Sequence, residues 1–220
     1  MPLLPSFESA LTLSNDRLCL DFCNTVSNHA SAAPREHLET YAHLVAWAER
    51  GGLLPPAAAA RLLAATARDP AAAEAVRRRA LELREAIYRL LLAASGGAPA
   101  PALEPQGSPC EPNLALLNAA LRSALAHARL EPNGEALALR WDLAATDALD
   151  SLLWPVAYSA ADLLASPDQL ARVGQCQDDR GCGWLFLDLT KNHSRRWCAM
   201  GDCGNRAKAR RHYQRQKSAI

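Results

Sequence analysis

Four cysteines near the carboxyl end constrain this chain more than any other feature. They are spaced Cys176-x5-Cys182-x15-Cys198-x4-Cys203, with Asp and Gly residues around each pair. Turns of this kind bring four thiolates to the corners of a tetrahedron, so the pattern predicts one bound Zn²⁺. Four thiolates leave no open coordination position, and the ion is therefore expected to be structural. By spacing alone, four buried structural cysteines or two disulfides remain alternatives, although so short a segment has little core of its own.

The formal charge of +1 conceals an uneven distribution of charge. Residues 172–220 contain 11 Lys and Arg against 4 Asp and Glu, whereas residues 1–171 contain 13 against 19. The carboxyl-terminal part is thus net +7 and the rest net −6. Because charge per domain decides binding to polyanions, this division predicts two domains, 1–171 and 172–220, of which the second presents positive charge.

The sequence also indicates a compartment. It begins without the basic and apolar regions of a secretory signal, and Gly, Pro or charge interrupts every apolar run before the roughly 18–20 residues of a membrane span. In a reducing compartment, paired cysteines more often hold metal than form disulfides. We therefore expect a cytoplasmic protein that does not enter a membrane.

Hydrophobic periodicity predicts an α+β domain that is mostly helical, with a small antiparallel β element. Alternating residues 17–27 predict a first strand, and residues 136–143 predict a second strand that could pair with it. Residues 95–112, rich in Pro, Gly and Ser, predict a mobile loop, and Pro132-Asn133-Gly134 predicts a turn. The predicted helices are 38–50, 56–68, 70–92, 113–129 and 149–164.

Polar residues gather where the first predicted strand ends, and they are candidate contacts for a small-molecule ligand. Strand ends also collect polar residues that only terminate pairing, so both interpretations stay open. Cys19 and Cys23 have no potential metal ligand close by in sequence and are expected to be small core residues. The candidate ligand-binding residues are Asp21, Asn24, Asn28 and His29.

The large domain contains none of the common catalytic motifs. Neither a nucleophile elbow, a glycine-rich phosphate loop nor a metalloprotease motif occurs in the sequence. The residues therefore give no reason to expect an enzyme.

The cysteine-rich segment resembles a known family. Trp197-Cys198-Ala-Met200-Gly-Asp-Cys203-Gly204-Asn205-Arg206 is similar to the signature of the bacterial CGNR zinc finger, whose name residues 203–206 spell. Cys182-x-Trp184-x-Phe186-x-Asp188 and Asn192-x3-Arg196 resemble the same family. Leu18-Cys-Leu-Asp21-Phe22-x-Asn24-Thr25 resembles the ABATE-type domain that usually precedes this finger. The resemblance implies a treble-clef finger that binds DNA and an amino-terminal regulatory domain that senses an unidentified ligand.

The basic segment that follows Cys203 is predicted to be a helix that contacts DNA. On a helical wheel, Arg206 and Arg210 lie on one stripe and Lys208 on the opposite one, which suits phosphates on both walls of a groove. Asn205, next to a zinc ligand, is expected either to contact a base or to brace the zinc turn. The candidate DNA-binding residues are Arg195, Arg196, Asn205, Arg206, Lys208, Arg210, Arg211 and Arg215.

Other functions are compatible with the same pattern. The basic segment could be a solvated helix without a specific partner, or the protein could be an RNA- or ribosome-associated zinc protein. The large domain could be an undetected enzyme with the finger as a docking module, or the finger could bind an acidic protein. A single finger gives modest specificity, so we also expect a homodimer or a second DNA-contacting surface.

Overall fold

The computed structural model describes residues 17–95 and 110–217. Its strands form three two-stranded antiparallel sheets, and the predicted class, mostly helical α+β, is confirmed. The helices are α1 (Leu18–Cys23), α2 (Tyr41–Arg50), α3 (Pro56–Arg68), α4 (Pro70–Ala94), α5 (Cys110–Ala126), α6 (Trp154–Leu164), α7 (Pro167–Leu170) and α8 (Asn205–Lys217). The strand pairs are β1 (Val26–Ser27) with β2 (Arg35–Glu36), β3 (Arg129–Asn133) with β4 (Ala136–Arg140), and β5 (Val173–Gln175) with β6 (Leu185–Leu187).

Helices α3 and α4 begin where the sequence predicts, whereas α2 and α6 begin three and five residues later than predicted. The Thr40 side chain accepts a hydrogen bond from the His43 amide and caps α2, and the Asp69 carboxylate caps α4 in the same way. Prolines occupy the first turns of α3 and α4, where their missing N–H has no helical partner to lose. Within the described ranges, no helix is long and apolar enough to cross a membrane.

The predicted first strand over residues 17–27 is wrong, because most of this stretch is helix α1. Alternation predicts a strand only when one of the two faces is exposed. Here Cys19, Leu20, Phe22 and Cys23 are all fully buried, and Asp21 is only 5% exposed. A short run that is buried on every side has no periodicity by which helix and strand can be distinguished. The expectation that Cys19 and Cys23 lie in the core is confirmed.

The second predicted strand exists, but its partner differs from the prediction. β4 pairs with β3, which precedes it directly, and not with residues 17–27. The hairpin turns at Gly134 and Glu135, so Pro132 and Asn133 belong to β3. The predicted helix 113–129 begins and ends three residues earlier as α5. Cys110–Pro112 of the predicted loop are therefore helical, and residues 96–109 of that loop lie outside the described residues.

Helix α1 lies at the centre of the core. It packs against α4, α6 and β6, so it contacts both the helical domain and residues 172–217. The side chains that surround it are aromatic and aliphatic, with Phe22 tilted against Trp47 at a ring separation of 5.3 Å. A six-residue helix cannot be stable alone, so its conformation depends on this burial.

Residues that follow α1 hold the carboxyl-terminal segment by hydrogen bonds. The Asn24 side-chain amide donates to the Leu185 carbonyl at 2.8 Å, and its oxygen accepts from the Leu185 amide at 2.9 Å. The Trp184 indole donates to the Val26 carbonyl, and the Tyr88 hydroxyl donates to the Gly183 carbonyl. We call the contacts between residues 24–31 and residues 181–185 the seam. The bond from Tyr88 of α4 lies beside it.

We predict that Asn24→Ala destabilises the zinc-loaded protein by about 2–4 kcal/mol, because both backbone groups of the buried Leu185 lose their partner. The measurement is urea unfolding of the full chain. Asn192→Ala, at an exposed position, is the control and should change the free energy of unfolding by less than about 0.5 kcal/mol. Equal stability of the Asn24 variant and the wild type would show that the seam does not hold the two parts together.

Candidate metal centre and nucleic-acid interface

The four predicted cysteines meet at one point. Cys176 follows β5 directly, Cys182 ends the loop between β5 and β6, and Cys198 and Cys203 come from the segment before α8. Their sulfur atoms all lie within 4.8 Å of one another. Cys203 lies in a π-helical turn, Met200–Gly204, that leads into α8. The loop from Cys176 to Cys182, which we call the knuckle, is thus followed by the segment from β6 to Cys198 and then by helix α8.

The separations between sulfur atoms fit a zinc ion. A Zn–S bond of about 2.3 Å in a tetrahedron places sulfur atoms about 3.8 Å apart. The Sγ atoms of Cys182 and Cys198 are 3.7 Å apart, and those of Cys198 and Cys203 are also 3.7 Å apart. An all-sulfur tetrahedron selects Zn²⁺ over the harder divalent cations, which prefer oxygen ligands. The cluster would hold one structural zinc ion through all four thiolates.

The pKa values of the four thiols show why they need a cation. Hydrogen bonds from Cys182 and Cys198 lower the pKa of Cys176 to about 2. Hydrogen bonding to Cys176 and Cys182 raises the pKa of Cys198, and burial together with the neighbouring thiolates raises that of Cys203. Four thiolates gathered at one point repel one another, so a bound dication would favour their deprotonation.

The loop between β6 and Cys198 is shaped by Asp188. Its carboxylate accepts hydrogen bonds from the Thr190 amide at 2.9 Å and from the Arg195 amide at 2.8 Å. The Arg195 side chain donates to the Leu187 and Cys198 carbonyls and lies over the Phe186 ring, 4.5 Å from its centre. Arg195 therefore braces the chain at a zinc ligand, and these contacts occupy its guanidinium group.

The loop that carries Cys182 packs closely on the helical domain. The amides of His29 and Ala30 donate to the carbonyls of Cys182 and Gly181 at 2.9 and 3.1 Å. Gly181 and Gly183 both have positive φ. A Cβ atom on Gly183 would lie 2.6 Å from the Ala30 nitrogen, so only glycine permits this approach. Residues 181–183 thus form the part of this loop that meets the helical domain.

Arg206 is tied to the metal centre. Its guanidinium donates to the Cys203 sulfur at 2.9 Å and to the buried Asp178 carboxylate at 3.0 Å, and it also pairs with Asp202. Burial opposes ionisation of Asp178, but hydrogen bonds from the Arg180 amide and from Arg206 outweigh it and lower the pKa of Asp178 to about 2. The Arg206 guanidinium thus links Cys203, the last zinc ligand, to Asp178 in the knuckle. Its charge offsets part of the negative charge of a four-thiolate site.

The structure divides the candidate DNA-binding residues into four groups. Arg195, Arg206 and Arg210 are engaged inside the finger, with Arg210 paired to Asp179. The Asn205 amide donates to the Gly201 carbonyl at 3.2 Å, which is the bracing role considered from sequence. Lys208 is exposed, as is Arg196, which donates to the Gln177 side chain at 2.8 Å. Arg211 and Arg215 belong to α8, and their side chains are outside the description.

The four candidate ligand-binding residues do not meet in one cavity. Asp21 and Asn24 are buried, and the amide of Asn24 is occupied by the seam. Asn28 is exposed at a φ of 54° and lines a groove beside the metal centre. His29 is buried and lines a separate cavity of about 400 Å³ between β2 and α4.

Sequence reasoning missed two residues that organise these sites, Asp178 and Arg84. Asp178 is one of the Asp and Gly residues that the sequence predicts to form turns around the cysteines, and nothing nearby in sequence points to its partner Arg206. Arg84 is 3% exposed and pairs with Glu36. Arg84 lies four residues after Ala80 and three before Ile87, and this spacing places it on the buried face of α4. The helical spacing is therefore the sequence feature that could have identified it.

We predict that Cys203→Ser fails to retain zinc, whereas the wild type carries about one ion per chain. Cys19→Ala, which removes a buried cysteine outside the cluster, is the matched control and should keep the ion. Metal analysis after dialysis against a chelator provides the measurement. A full complement of zinc in the Cys203 variant would rule out the four-thiolate site.

We predict that Arg206→Gln weakens zinc binding by about 10- to 100-fold, because the Cys203 thiolate loses its charged hydrogen-bond donor. Lys208→Gln removes the same charge from the same helix without such a contact and should leave zinc affinity unchanged. Competition with a chromogenic chelator, in the absence of nucleic acid, measures both. Equal affinities would assign Arg206 no role at the metal.

Comparison with protein families agrees with this geometry. A family model described as "Putative stress-induced transcription regulator", ABATE, matches residues 16–167, and a model described as "CGNR zinc finger" matches residues 172–216. No curated protein matches the sequence. The first match alone covers more than half of the chain, and both agree with the resemblance seen in the sequence. The chain therefore belongs to the ABATE family and ends in a CGNR zinc finger.

Proposed function

We propose that the protein is a cytoplasmic DNA-binding transcription regulator, not an enzyme, in which a structural zinc ion fixes a basic helix and the amino-terminal domain senses a small ligand. The domain division at residue 171 is part of this proposal. Both matching families are of regulatory or zinc-finger type, which supports the general role. DNA as the partner is our inference from the charge and geometry of the finger.

The observation that carries the proposal is the way α8 is anchored. One stripe of the helix is tied to the knuckle, through Arg206 to Asp178 and through Arg210 to Asp179. Lys208 lies on the opposite stripe and is exposed. By helical position, Arg211 and Arg215 share that stripe with Lys208. A helix held by one basic stripe and presenting the other suits contact with a phosphate backbone.

Further exposed cations lie around the metal centre, and those that line the groove lie beside Arg206 and not beside Lys208. Arg196 is exposed beside Cys198. Arg35 and Arg180 are also exposed and line a groove of about 410 Å³ next to the zinc ligands. Because Arg35 belongs to β2, the proposed interface includes the helical domain as well as the finger. Such an interface would read mainly the backbone, and a homodimer or a second DNA-contacting surface would supply the remaining specificity.

The proposal is tested by binding to a duplex of about 20 base pairs over a range of salt concentrations. If six phosphates are contacted, log K falls against log salt with a slope of about −5. We predict that Lys208→Gln weakens binding on every sequence and reduces the slope by about 1. Arg122→Gln, an exposed position on α5 with the same charge change, should bind like the wild type.

A slope near zero would overturn the proposal. RNA is the second candidate, since basic zinc modules serve both polymers. Tighter binding of a structured RNA than of duplex DNA at matched salt would favour the RNA-associated alternative instead.

A further inference from the structure

A second cavity lies on the helical side of the seam. It has a volume of about 400 Å³ and is bounded by the segment that follows β1, by β2 and by α4. Its apolar walls include Val26 and Pro34, and its charged groups come from β2 and α4. We call it the His29 cavity.

Most of the charged groups in the His29 cavity neutralise one another. The Arg84 guanidinium donates to Glu36 at 2.6 and 2.8 Å and to Glu85 at 3.2 Å. The Glu85 carboxylate also lies 2.9 Å from Nε2 of His29. Burial opposes ionisation of both carboxyls, but Arg84 lowers the pKa of Glu36, and His29 together with Arg84 lowers the pKa of Glu85. Both are therefore carboxylates and acceptors only.

Two polar atoms in this cavity have no partner among the described residues. They are Nδ1 of His29 and Nε of Arg89, and both atoms are buried. His29 is 6% exposed, and since ionised Glu85 accepts the proton of Nε2, Nδ1 is the ring atom left over. Buried polar atoms are nearly always hydrogen-bonded, so two in one cavity point to a ligand that supplies the missing partners.

We propose that the His29 cavity binds a small organic carboxylate. The Arg89 guanidinium donates to the carboxylate of the ligand. Nδ1 of His29 accepts a hydrogen bond where the ligand carries a donor, and the walls around Val26 and Pro34 contact its apolar part. A monoanion matches Arg89, the one arginine lining the cavity that has no carboxylate partner among the described residues. A phosphate dianion would suffer repulsion from Glu36 and Glu85 in the same cavity.

The same segment connects this cavity to the metal centre. His29 and Ala30 line the cavity and donate their amides to the carbonyls of Cys182 and Gly181. A ligand that fills the cavity packs against this segment and therefore also stabilises the loop that carries a zinc ligand. This coupling rests on the proposed sensing function and gives it a physical route to the finger.

The experiment uses the full-length zinc-loaded chain and four probes. Hexanoate and benzoate are compared with their uncharged counterparts, hexanamide and benzamide, by ligand-observed NMR titration. We expect each acid to bind at least tenfold more tightly than its amide. Arg89→Gln should abolish that preference, whereas Arg78→Gln, an exposed arginine on the same helix, should preserve it.

Binding of acid and amide with equal affinity, retention of the preference by the Arg89 variant, or failure of both acids to bind at millimolar concentration would each overturn the site. Tighter binding of inorganic phosphate than of either acid would overturn the ligand class.

The coupling has its own readout. Transfer of zinc to a chromogenic chelator should slow when the acid is bound to the wild type and should not change in Arg89→Gln. An unchanged rate in the wild type would overturn the coupling. None of these measurements contains DNA, so a failure of DNA binding would leave their outcome standing.

Discussion

The structure depends on the hydrogen bonds that join residues 24–31 to residues 181–185. On the finger side, most of the groups in these bonds are backbone amides and carbonyls. Backbone groups that leave water must find partners, so the seam either forms as a set or exposes several unpaired groups together. The helical domain and the metal centre are consequently parts of one structure, although a charge boundary separates them in sequence.

Two arginines of the basic helix α8 also form part of the surroundings of the metal centre. Arg206 pairs with Asp178 and Arg210 pairs with Asp179, both in the knuckle. The stripe of α8 that carries these two arginines therefore faces the metal centre. The Arg206 guanidinium, which donates to the Cys203 sulfur, would offset part of the cost of collecting four thiolates, in addition to a bound dication. What remains for a polyanion is the opposite stripe, together with exposed arginines around the zinc ligands.

The metal ligands could be predicted from the sequence because their spacing and turn residues are local features. The same holds for α3 and α4, whose first-turn prolines and, for α4, the capping Asp69 are local features as well. Helix α1 could not be predicted, since burial on all sides erases the difference between the two periodicities. Its conformation is decided by the helices that surround it.

The roles of individual polar residues depended on distant partners. Asn24 resembles a ligand contact in sequence, yet its partner Leu185 is 161 positions away. Arg206 resembles a DNA contact, yet it meets Asp178, 28 positions earlier. A charge pattern shows where cations are, and only the fold shows which of them are already paired.

The two glycines beside Cys182 bear on how such a finger can be reused. Gly181 and Gly183 let the metal-binding loop lie directly on the backbone of Ser31 and Ala30, with no room for a side chain between them. A finger cut out of this chain and fused to another domain would carry that bare strip of carbonyls and amides with it. This finger is therefore poorly suited to exchange between unrelated proteins.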